Sequence, residues 1–212
     1  MRIAVVGTGM VGRTLAPAFA RLGHEVVIGT RSPEATRARG DWELYLPLVA
    51  YGEVAEGADL VVNATSGQAS MAALGAVGEE QLAGKVLLDV ANPLDFSGGF
   101  PPTLTVKDTD SLAEQIQRAF PRARVVKSLN TVNCAVMVDP QRVGDGHTTM
   151  LLAGDDADAR ALVMRLLEEL GWHDVIEFRD LSCARGMEMW LPLWVRLMGQ
   201  LGTPDFNVKI VR

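Results

Sequence analysis

The sequence predicts an α/β protein with a doubly wound, mainly parallel sheet of about eight strands, followed by an apolar C-terminal helix. Short runs rich in Val, Ile and Leu alternate with helical patterns along almost the whole chain, as in successive βαβ units. Several of these runs are apolar on both faces, which is typical of buried parallel strands. A glycine-rich turn also joins the first strand to the first helix.

Eight apolar runs are predicted to be strands, and four amphipathic stretches are predicted to be helices. The strands lie near residues 2–6, 24–30, 47–50, 60–64, 85–90, 124–128, 148–153 and 173–178, and the helices near 10–22, 68–76, 111–120 and 155–170. The third helix begins with Ser111 and Glu114 in capping-box spacing and ends before Pro121. Residues 33–45 are left unassigned, although Ser32-Pro33-Glu34 resembles a helix start.

Glycine and proline cluster in residues 92–102, which predicts a long loop after a central strand. The last helix is expected near residues 181–201, where apolar residues recur at alternating spacings of four and three. Pro192 should kink this helix. Its Met- and Trp-rich seam predicts core packing or a dimer interface, and the alternative is that its first turns cover a flat cofactor.

Composition indicates one globular domain spanning residues 1–212. Hydrophobic residues make up 48% of the chain, which is enough to bury a sizeable core. The formal net charge of −6 is spread along the chain and excludes general nucleic-acid binding. No apolar run reaches the ~18 residues of a membrane span, and two cysteines are too few for a disulfide scaffold. We therefore expect a cytoplasmic protein with no membrane or nucleic-acid partner.

The glycine motif predicts a dinucleotide site. Gly7-Thr8-Gly9-Met10-Val11-Gly12 follows a predicted strand directly and precedes an amphipathic helix. In that context Gly7 permits a tight turn, Gly9 lets the backbone approach a pyrophosphate, and Gly12 lets the helix pack on the strand. The helix N-terminus then offers free N–H groups to phosphates. A glycine-rich turn without a ligand is the alternative.

The end of the second strand favours NADP(H) over NAD. About twenty residues after the glycine motif, NAD-specific proteins carry an Asp or Glu for the ribose 2′-hydroxyl, whereas this chain has Thr30-Arg31-Ser32. An arginine there can bind a 2′-phosphate through charge-assisted hydrogen bonds, and the two neighbouring hydroxyls can add to them. Alternatively, Arg31 is a solvated loop charge and the site accepts NAD.

Small polar residues follow the next three predicted strands, at the edge where a doubly wound sheet binds its ligand. We expect cofactor contacts from Asn63, Ala64, Thr65, Ala91, Asn92 and Pro93, together with the glycine motif and residues 30–32. The candidates for orienting a substrate are Asn92, Asn130, Thr131 and Asn133, because amides and hydroxyls can orient a carboxamide or planar ring without carrying charge. Turn capping by Asn and Thr is the alternative at each position.

Several catalytic devices are missing from the sequence. Neither Tyr45 nor Tyr51 is followed four residues later by Lys, which excludes short-chain dehydrogenases. About thirty residues remain after the eighth strand, too few for the helical second domain of hydroxy-acid dehydrogenases. The three histidines have no ligand spacing with each other or with the cysteines, so no metal site is predicted. Cys134 is interpreted as a small apolar thiol rather than a nucleophile.

These features together resemble the family of NADPH-dependent reductases of the 5-deazaflavin coenzyme F420, whose Rossmann-type fold also occurs in the cytosolic part of certain metalloreductases. The resemblance runs nearly end to end and is carried by residues 1–9, Thr30-Arg31, residues 125–131, and the Pro192-containing helix followed by residues 206–210. It implies reversible hydride transfer between NADP(H) and a deazaflavin without a catalytic acid or covalent intermediate. It also implies a homodimer, with residues 181–212 as a C-terminal helical and dimerisation segment.

Other functions remain open at this stage. The sequence has Asn130 where archaeal deazaflavin reductases carry a His beside the ring, which leaves the acceptor undetermined. Alternatives are a reductase of flavins, quinones or metal chelates, and a non-catalytic NADP(H)-binding sensor or partner-binding module. A ring acceptor fits the absence of an acid–base pair, since two stacked cofactors need orientation and exclusion of water more than proton transfer.

Overall fold

The computed structural model describes residues 1–212, and its elements alternate between strand and helix. The strands are β1 (Arg2–Val6), β2 (Glu25–Thr30), β3 (Leu48–Ala50), β4 (Leu60–Asn63), β5 (Val86–Asp89), β6 (Leu94–Asp95), β7 (Thr103–Leu104), β8 (Arg124–Ser128), β9 (Met150–Gly154) and β10 (Val175–Phe178). The α-helices are α1 (Met10–Arg21), α2 (Pro33–Arg37), α3 (Tyr51–Val54), α4 (Gly67–Val77), α5 (Glu79–Leu82), α6 (Leu112–Ala119), α7 (Cys134–Val138), α8 (Ala157–Glu169), α9 (Ala184–Met189) and α10 (Leu191–Leu201).

Eight strands form one sheet in the order β10-β9-β8-β5-β4-β1-β2-β3. Six of them, from β3 through to β8, are parallel neighbours, and β9 pairs antiparallel with β8. The chain thus starts in the centre of the sheet, builds outward to β3, and returns past β1 to build the other half. This confirms the predicted doubly wound, mainly parallel sheet.

Two apolar layers cover the sheet, because successive strand residues face opposite sides. In β1, Ile3 and Val5 pack into one layer with residues of α1 and α8. Ala4 and Val6 pack into the other layer with residues of α3, α4 and α6. Helices on both faces explain why the central strands are buried along almost their whole length.

The structure adds elements that the sequence pattern did not predict. The predicted loop at residues 92–102 contains β6, which pairs antiparallel with β7 to form a short hairpin beside the sheet. The unassigned stretch begins with α2, whose N-cap Ser32 accepts a hydrogen bond from the backbone N–H of Ala35. Short helices α3, α5 and α7 were not predicted, since four or five residues are too few for a visible helical period.

The C-terminal helical region is divided at Trp190. A short 3-10 turn at Leu181–Cys183 leads into α9, and α10 starts just before Pro192. The break lies where proline removes a backbone donor, as predicted from the sequence, and proline is tolerated in the first turn of the new helix. None of the helices in the structure has both the length and the apolar character needed to cross a bilayer.

Candidate functional site

Two adjoining cavities lie at the carboxyl ends of the parallel strands. The glycine-loop cavity has a volume of about 320 Å³ and is lined by Gly7, Thr8, Gly9, Arg31, Tyr51, Ala64, Thr65, Ser66 and four alanines of α4. The large cavity has a volume of about 800 Å³ and extends from Met10 to α10. Thr65 and Ser66 line both cavities, so together they form one continuous trough.

The glycine turn is built for close approach by a ligand. Gly7 has φ +122°, and a Cβ there would collide with the backbone of Ala64. A Cβ on Gly12 would overlap the carbonyl oxygen of Gly7, so α1 can pack on the turn only with glycine at this position. By contrast, a Cβ on Gly9 would meet no atom within 4 Å, which leaves open space beside the backbone. The first turn of α1 has no side-chain cap and no acidic residue.

Arg31 is exposed, lines the glycine-loop cavity and forms no ion pair. Tyr51 lines the same cavity, and burial raises the pKa of its hydroxyl although the nearby Arg31 partly opposes the shift. The two hydroxyls beside Arg31 have partners inside the chain. Thr30 is buried and bonded to the hydroxyl of Thr36, and Ser32 caps α2.

Two amides meet in the large cavity. The Nδ2 atom of Asn130 donates to Oδ1 of Asn92 at 3.0 Å and to the carbonyl of Met187 at 3.1 Å, while Nδ2 of Asn92 donates to the carbonyl of Asn130 at 2.8 Å. We call these two residues the amide pair. Asn130 is only 1% exposed, and its Oδ1 has no hydrogen-bond partner. An acceptor left unpaired in this way is costly unless a ligand or water donates to it.

The C-terminal region forms one wall of the large cavity. Leu191, Trp194 and Met198 of α10 line it, together with Pro204 from the tail that follows. The ring of Trp194 stacks on Phe206 with a centroid distance of 5.2 Å. Asp205 receives hydrogen bonds from Asn133, another lining residue, and from Arg142. The tail is therefore anchored at the cavity wall by both stacking and ion pairing.

Few titratable groups face the large cavity. Its lining includes the Asp95 carboxyl and the Cys134 thiol as the titratable side chains. Hydrogen bonds from the backbone and side chain of Ser97 lower the pKa of Asp95, which keeps it ionised at neutral pH. No group of three or more His, Cys, Asp or Glu side chains is arranged to share a metal ion. The cavity is thus lined mainly by uncharged side chains and offers few groups for acid–base chemistry.

A buried charged network lies beneath the strand ends. The ammonium group of Lys127 on β8 lies 2.7 Å from the Asp89 carboxylate on β5 and 2.9 Å from the Glu188 carboxylate on α9. All three side chains are at most 1% exposed. Burial alone would lower the pKa of Lys127, but Asp89 and Glu188 outweigh that effect and raise it. Burial raises the pKa of Glu188, opposed by Lys127.

The residues predicted for the site divide into those that line the cavities and those that support them. Gly7, Thr8, Gly9, Met10, Val11, Arg31, Ala64, Thr65, Ala91, Asn92, Asn130 and Asn133 line one or both cavities. Gly12, Thr30, Ser32, Asn63, Pro93 and Thr131 do not line either one. Asn63 is fully buried and holds Thr65, Ser70 and Asp89, while the carbonyl of Thr131 accepts a hydrogen bond from the indole of Trp190.

Some residues of the site gave no signal in the sequence. Arg39, from the unassigned stretch, donates to the hydroxyl of Thr8 at 3.2 Å and pairs with Asp41. Tyr51 starts a helix too short to be predicted, and Glu188 lies within an apolar helical seam. For Glu188, the only signal in the sequence is that a charged residue interrupts an apolar seam. A buried charge needs a partner, but the sequence does not identify which residue that partner is.

Comparisons with known proteins agree with this architecture. Residues 2–93 match the family described as NADP oxidoreductase, coenzyme F420-dependent. The F420-dependent NADP reductase of Methanothermobacter marburgensis is 31% identical over 209 residues, which covers 93% of this chain and 92% of that protein. A candidate F420-dependent NADP reductase from Arthrobacter sp. FB24, of known crystal structure, has 57% identity and a TM-score of 0.97, with both chains fully covered.

A longer relative contains a similar segment. The metalloreductase STEAP3 of Rattus norvegicus is 28% identical over 200 residues, which covers 91% of this chain. The aligned region spans only 38% of that protein's own length. The similarity therefore concerns one part of STEAP3 and not the whole protein.

Proposed function

Because the chain belongs to the family of F420-dependent NADP oxidoreductases, we propose that it transfers a hydride between NADP(H) and a deazaflavin of the coenzyme F420 type. The observation that carries this proposal is the continuous trough, which joins a glycine turn and an unpaired arginine to a large cavity of low charge. Family and geometry together make the protein an NADP-dependent oxidoreductase.

The residues present fit NADP(H). The open space beside Gly9 and the uncapped N–H groups of α1 suit a pyrophosphate. Arg31 has no ion pair to break before it binds a 2′-phosphate, and Tyr51 lines the cavity next to it. Thr65, fixed by its 2.7 Å hydrogen bond to Asn63, lies where the two cavities join. We assign these residues, with Gly7, Thr8 and Ala64, to cofactor binding.

The chain contributes orientation and exclusion of water rather than proton transfer. When bound, NADPH supplies the hydride and the deazaflavin ring accepts it. The amide pair offers neutral polar atoms to a ring edge or a carboxamide, chiefly those of Asn92, which is half-buried, whereas Asn130 is almost fully buried and holds Asn92 in position. Asn133 and Thr131 support the same wall. Hydrogen bonds from Ser97 lower the pKa of Asp95, so this carboxylate is ionised at neutral pH and has no proton to donate to the ring.

We also propose that the protein is a homodimer formed by the outer face of α10. Leu193 and Leu201 on that helix are 50% and 54% exposed, whereas its other large apolar side chains are buried or half-buried. The cavity-facing residue Trp194 is already covered by Phe206 of its own chain. In this proposal residues 181–212 complete the single domain on one face and pair with a second copy on the other.

A stopped-flow experiment tests the hydride acceptor. NADPH deuterated at the transferring position is mixed with protein and either oxidised coenzyme F420, FMN or a quinone, and loss of the acceptor's absorbance is followed. We expect reduction of coenzyme F420 with deuterium in its reduced ring. Preferential reduction of FMN or the quinone would show that the acceptor is not a deazaflavin. If NADPH binds tightly but none of the acceptors is reduced, the protein is an NADP(H)-binding sensor and not an enzyme of this kind.

A further inference from the structure

The buried network of Asp89, Lys127 and Glu188 takes no part in the chemistry proposed above, although it lies directly under the trough. Three charged side chains with almost no exposure are expensive to bury, and a buried ion pair is often no more stabilising than apolar residues of similar size. Their arrangement therefore calls for a role beyond stability. The contacts that each residue makes indicate what that role is.

On one side the network holds the strand end that carries Asn92. The ammonium group of Lys127 donates to the carbonyl of Ala91 as well as to Asp89. Asp89 in turn accepts from the backbone N–H of Ala91 at 3.2 Å and from Nδ2 of Asn63 at 2.8 Å. Both polar backbone groups of the residue before Asn92 are thus fixed by the network.

On the other side the network holds α9. Glu188 accepts from Lys127 and from the backbone N–H groups of Leu112 and Ala113 at the start of α6. All of these partners are donors, so the ionised carboxylate suits the position. The residue before Glu188 is Met187, whose carbonyl accepts from Asn130. Fixing Glu188 therefore also fixes the backbone acceptor that orients the amide pair.

We propose that Asp89, Lys127 and Glu188 form a positioning network that sets the amide pair from both sides and so orients the ring acceptor in the large cavity. Through Asn63 the same network reaches Thr65, where the two cavities join. None of the three charged residues lines either cavity, so they act through Asn92, Asn130 and Thr65 rather than on substrate. The role in hydride transfer rests on the proposed function, whereas the positioning itself does not.

The test compares Glu188→Gln with the triple variant Asp89→Asn/Lys127→Met/Glu188→Leu and with the control Glu177→Gln. In Glu188→Gln the neutral amide can no longer accept from all of the donors that face the carboxylate. The triple variant removes all three buried charges together and so leaves no carboxylate buried without its cation, a kind of change that proteins often tolerate. Glu177 lies on β10, a strand that contributes no residue to either cavity, and it forms a 2.6 Å ion pair with Arg160 of α8.

The first readout needs no ligand. In ¹H–¹⁵N spectra we expect the Asn130 side-chain amide and the Trp190 indole, which donates to Thr131, to shift in both network variants. The indole signal of Trp172, a fully buried side chain that donates to the carbonyl of Met137 and makes no hydrogen bond to the network, should keep its chemical shift. The control variant should leave all three signals unchanged. Unchanged Asn130 and Trp190 signals in the two folded network variants would overturn the positioning role.

The second readout is the single-turnover rate constant for hydride transfer from NADPH to coenzyme F420, which does not depend on the fraction of folded enzyme. We expect a decrease of roughly 10- to 100-fold in both network variants, the scale of a small misplacement of reacting groups, with NADPH Kd within about 3-fold of wild type. The control should retain the wild-type rate. Wild-type rates in the network variants would refute the catalytic consequence, whereas a wild-type protein that reduces no deazaflavin would refute the proposed function and leave the spectroscopic result standing.

Discussion

Replacement of Arg31 by Ala should weaken NADPH binding selectively. Arg31 is exposed, lines the glycine-loop cavity and has no ion pair, so binding a 2′-phosphate costs it no existing partner. Two charge-assisted hydrogen bonds from one guanidinium contribute about 2 to 4 kcal/mol in total, after allowance for exposure to solvent. That loss corresponds to a roughly 30- to 700-fold higher Kd for NADPH.

NADH provides the internal comparison, because it has a hydroxyl where NADPH has the 2′-phosphate. Its affinity for Arg31→Ala should stay within about 3-fold of wild type. Titration calorimetry with both cofactors measures the effect directly, and raising the salt concentration should reduce the difference between wild type and variant.

Arg21→Ala is the matched control. Arg21 is an exposed arginine in the last turn of α1, at the opposite end of the helix from the glycine turn, and it also lacks an ion pair. The Arg21→Ala variant should bind NADPH and NADH with the same affinities as the wild-type protein. Equal losses of NADPH and NADH affinity in Arg31→Ala would refute the assignment of Arg31 to the 2′-phosphate.

Three further predictions concern the acceptor, assembly and acid stability. Asn130→Ala should reduce kcat about 10-fold or more while changing NADPH Kd little, because the amide pair lies away from the phosphate site; a larger effect on Kd contradicts this. Leu193→Glu should sediment as a monomer and Leu22→Glu, at another exposed leucine, as a dimer; a monomeric wild type would exclude the interface. Hydrogen bonds from Lys209 and Thr149 lower the pKa of Asp174 from 3.8 to about 2, so its stabilisation is complete above about pH 4 and is lost as the pH falls through 2. In urea unfolding, Asp174→Asn should be less stable than wild type by about 1 kcal/mol near neutral pH, and the difference should shrink as the pH falls towards 2 and disappear only below it; a pH-independent difference would argue against this role.

Local sequence pattern was sufficient for most of the scaffold. The bounds of β1 and β8 agree with the predicted strands at residues 2–6 and 124–128, and α1 begins at the predicted residue. These elements carry strong period or capping signals, and their burial on both faces of the sheet requires unbroken apolar runs. The cofactor preference is predictable for the same reason, since the glycine turn and Arg31 are fixed by the ends of two predicted strands.

The sequence could not reveal how the acceptor side of the site is assembled. The hairpin of β6 and β7 has only two residues in each strand, and glycine and proline around it indicate a loop more strongly than a strand. Pro204 and Phe206 close the cavity wall from a tail without any periodic pattern. Short and irregular segments adopt their conformation through tertiary contacts, which a local pattern does not encode.

By itself the sequence determined the doubly wound sheet, the glycine turn and the position of Arg31, because each depends on residues that are neighbours along the chain. Only the tertiary structure decided that Asn92 and Asn130 bond to each other, and that Lys127 reaches Asp89 and Glu188 across 38 and 61 positions of sequence. A buried charge must find a partner to offset its lost hydration, but nothing in the local sequence specifies which distant residue that partner is. Folding of the chain brings the ends of β5 and β8 close to α9, and only then does Lys127 come within hydrogen-bond distance of Asp89 and Glu188.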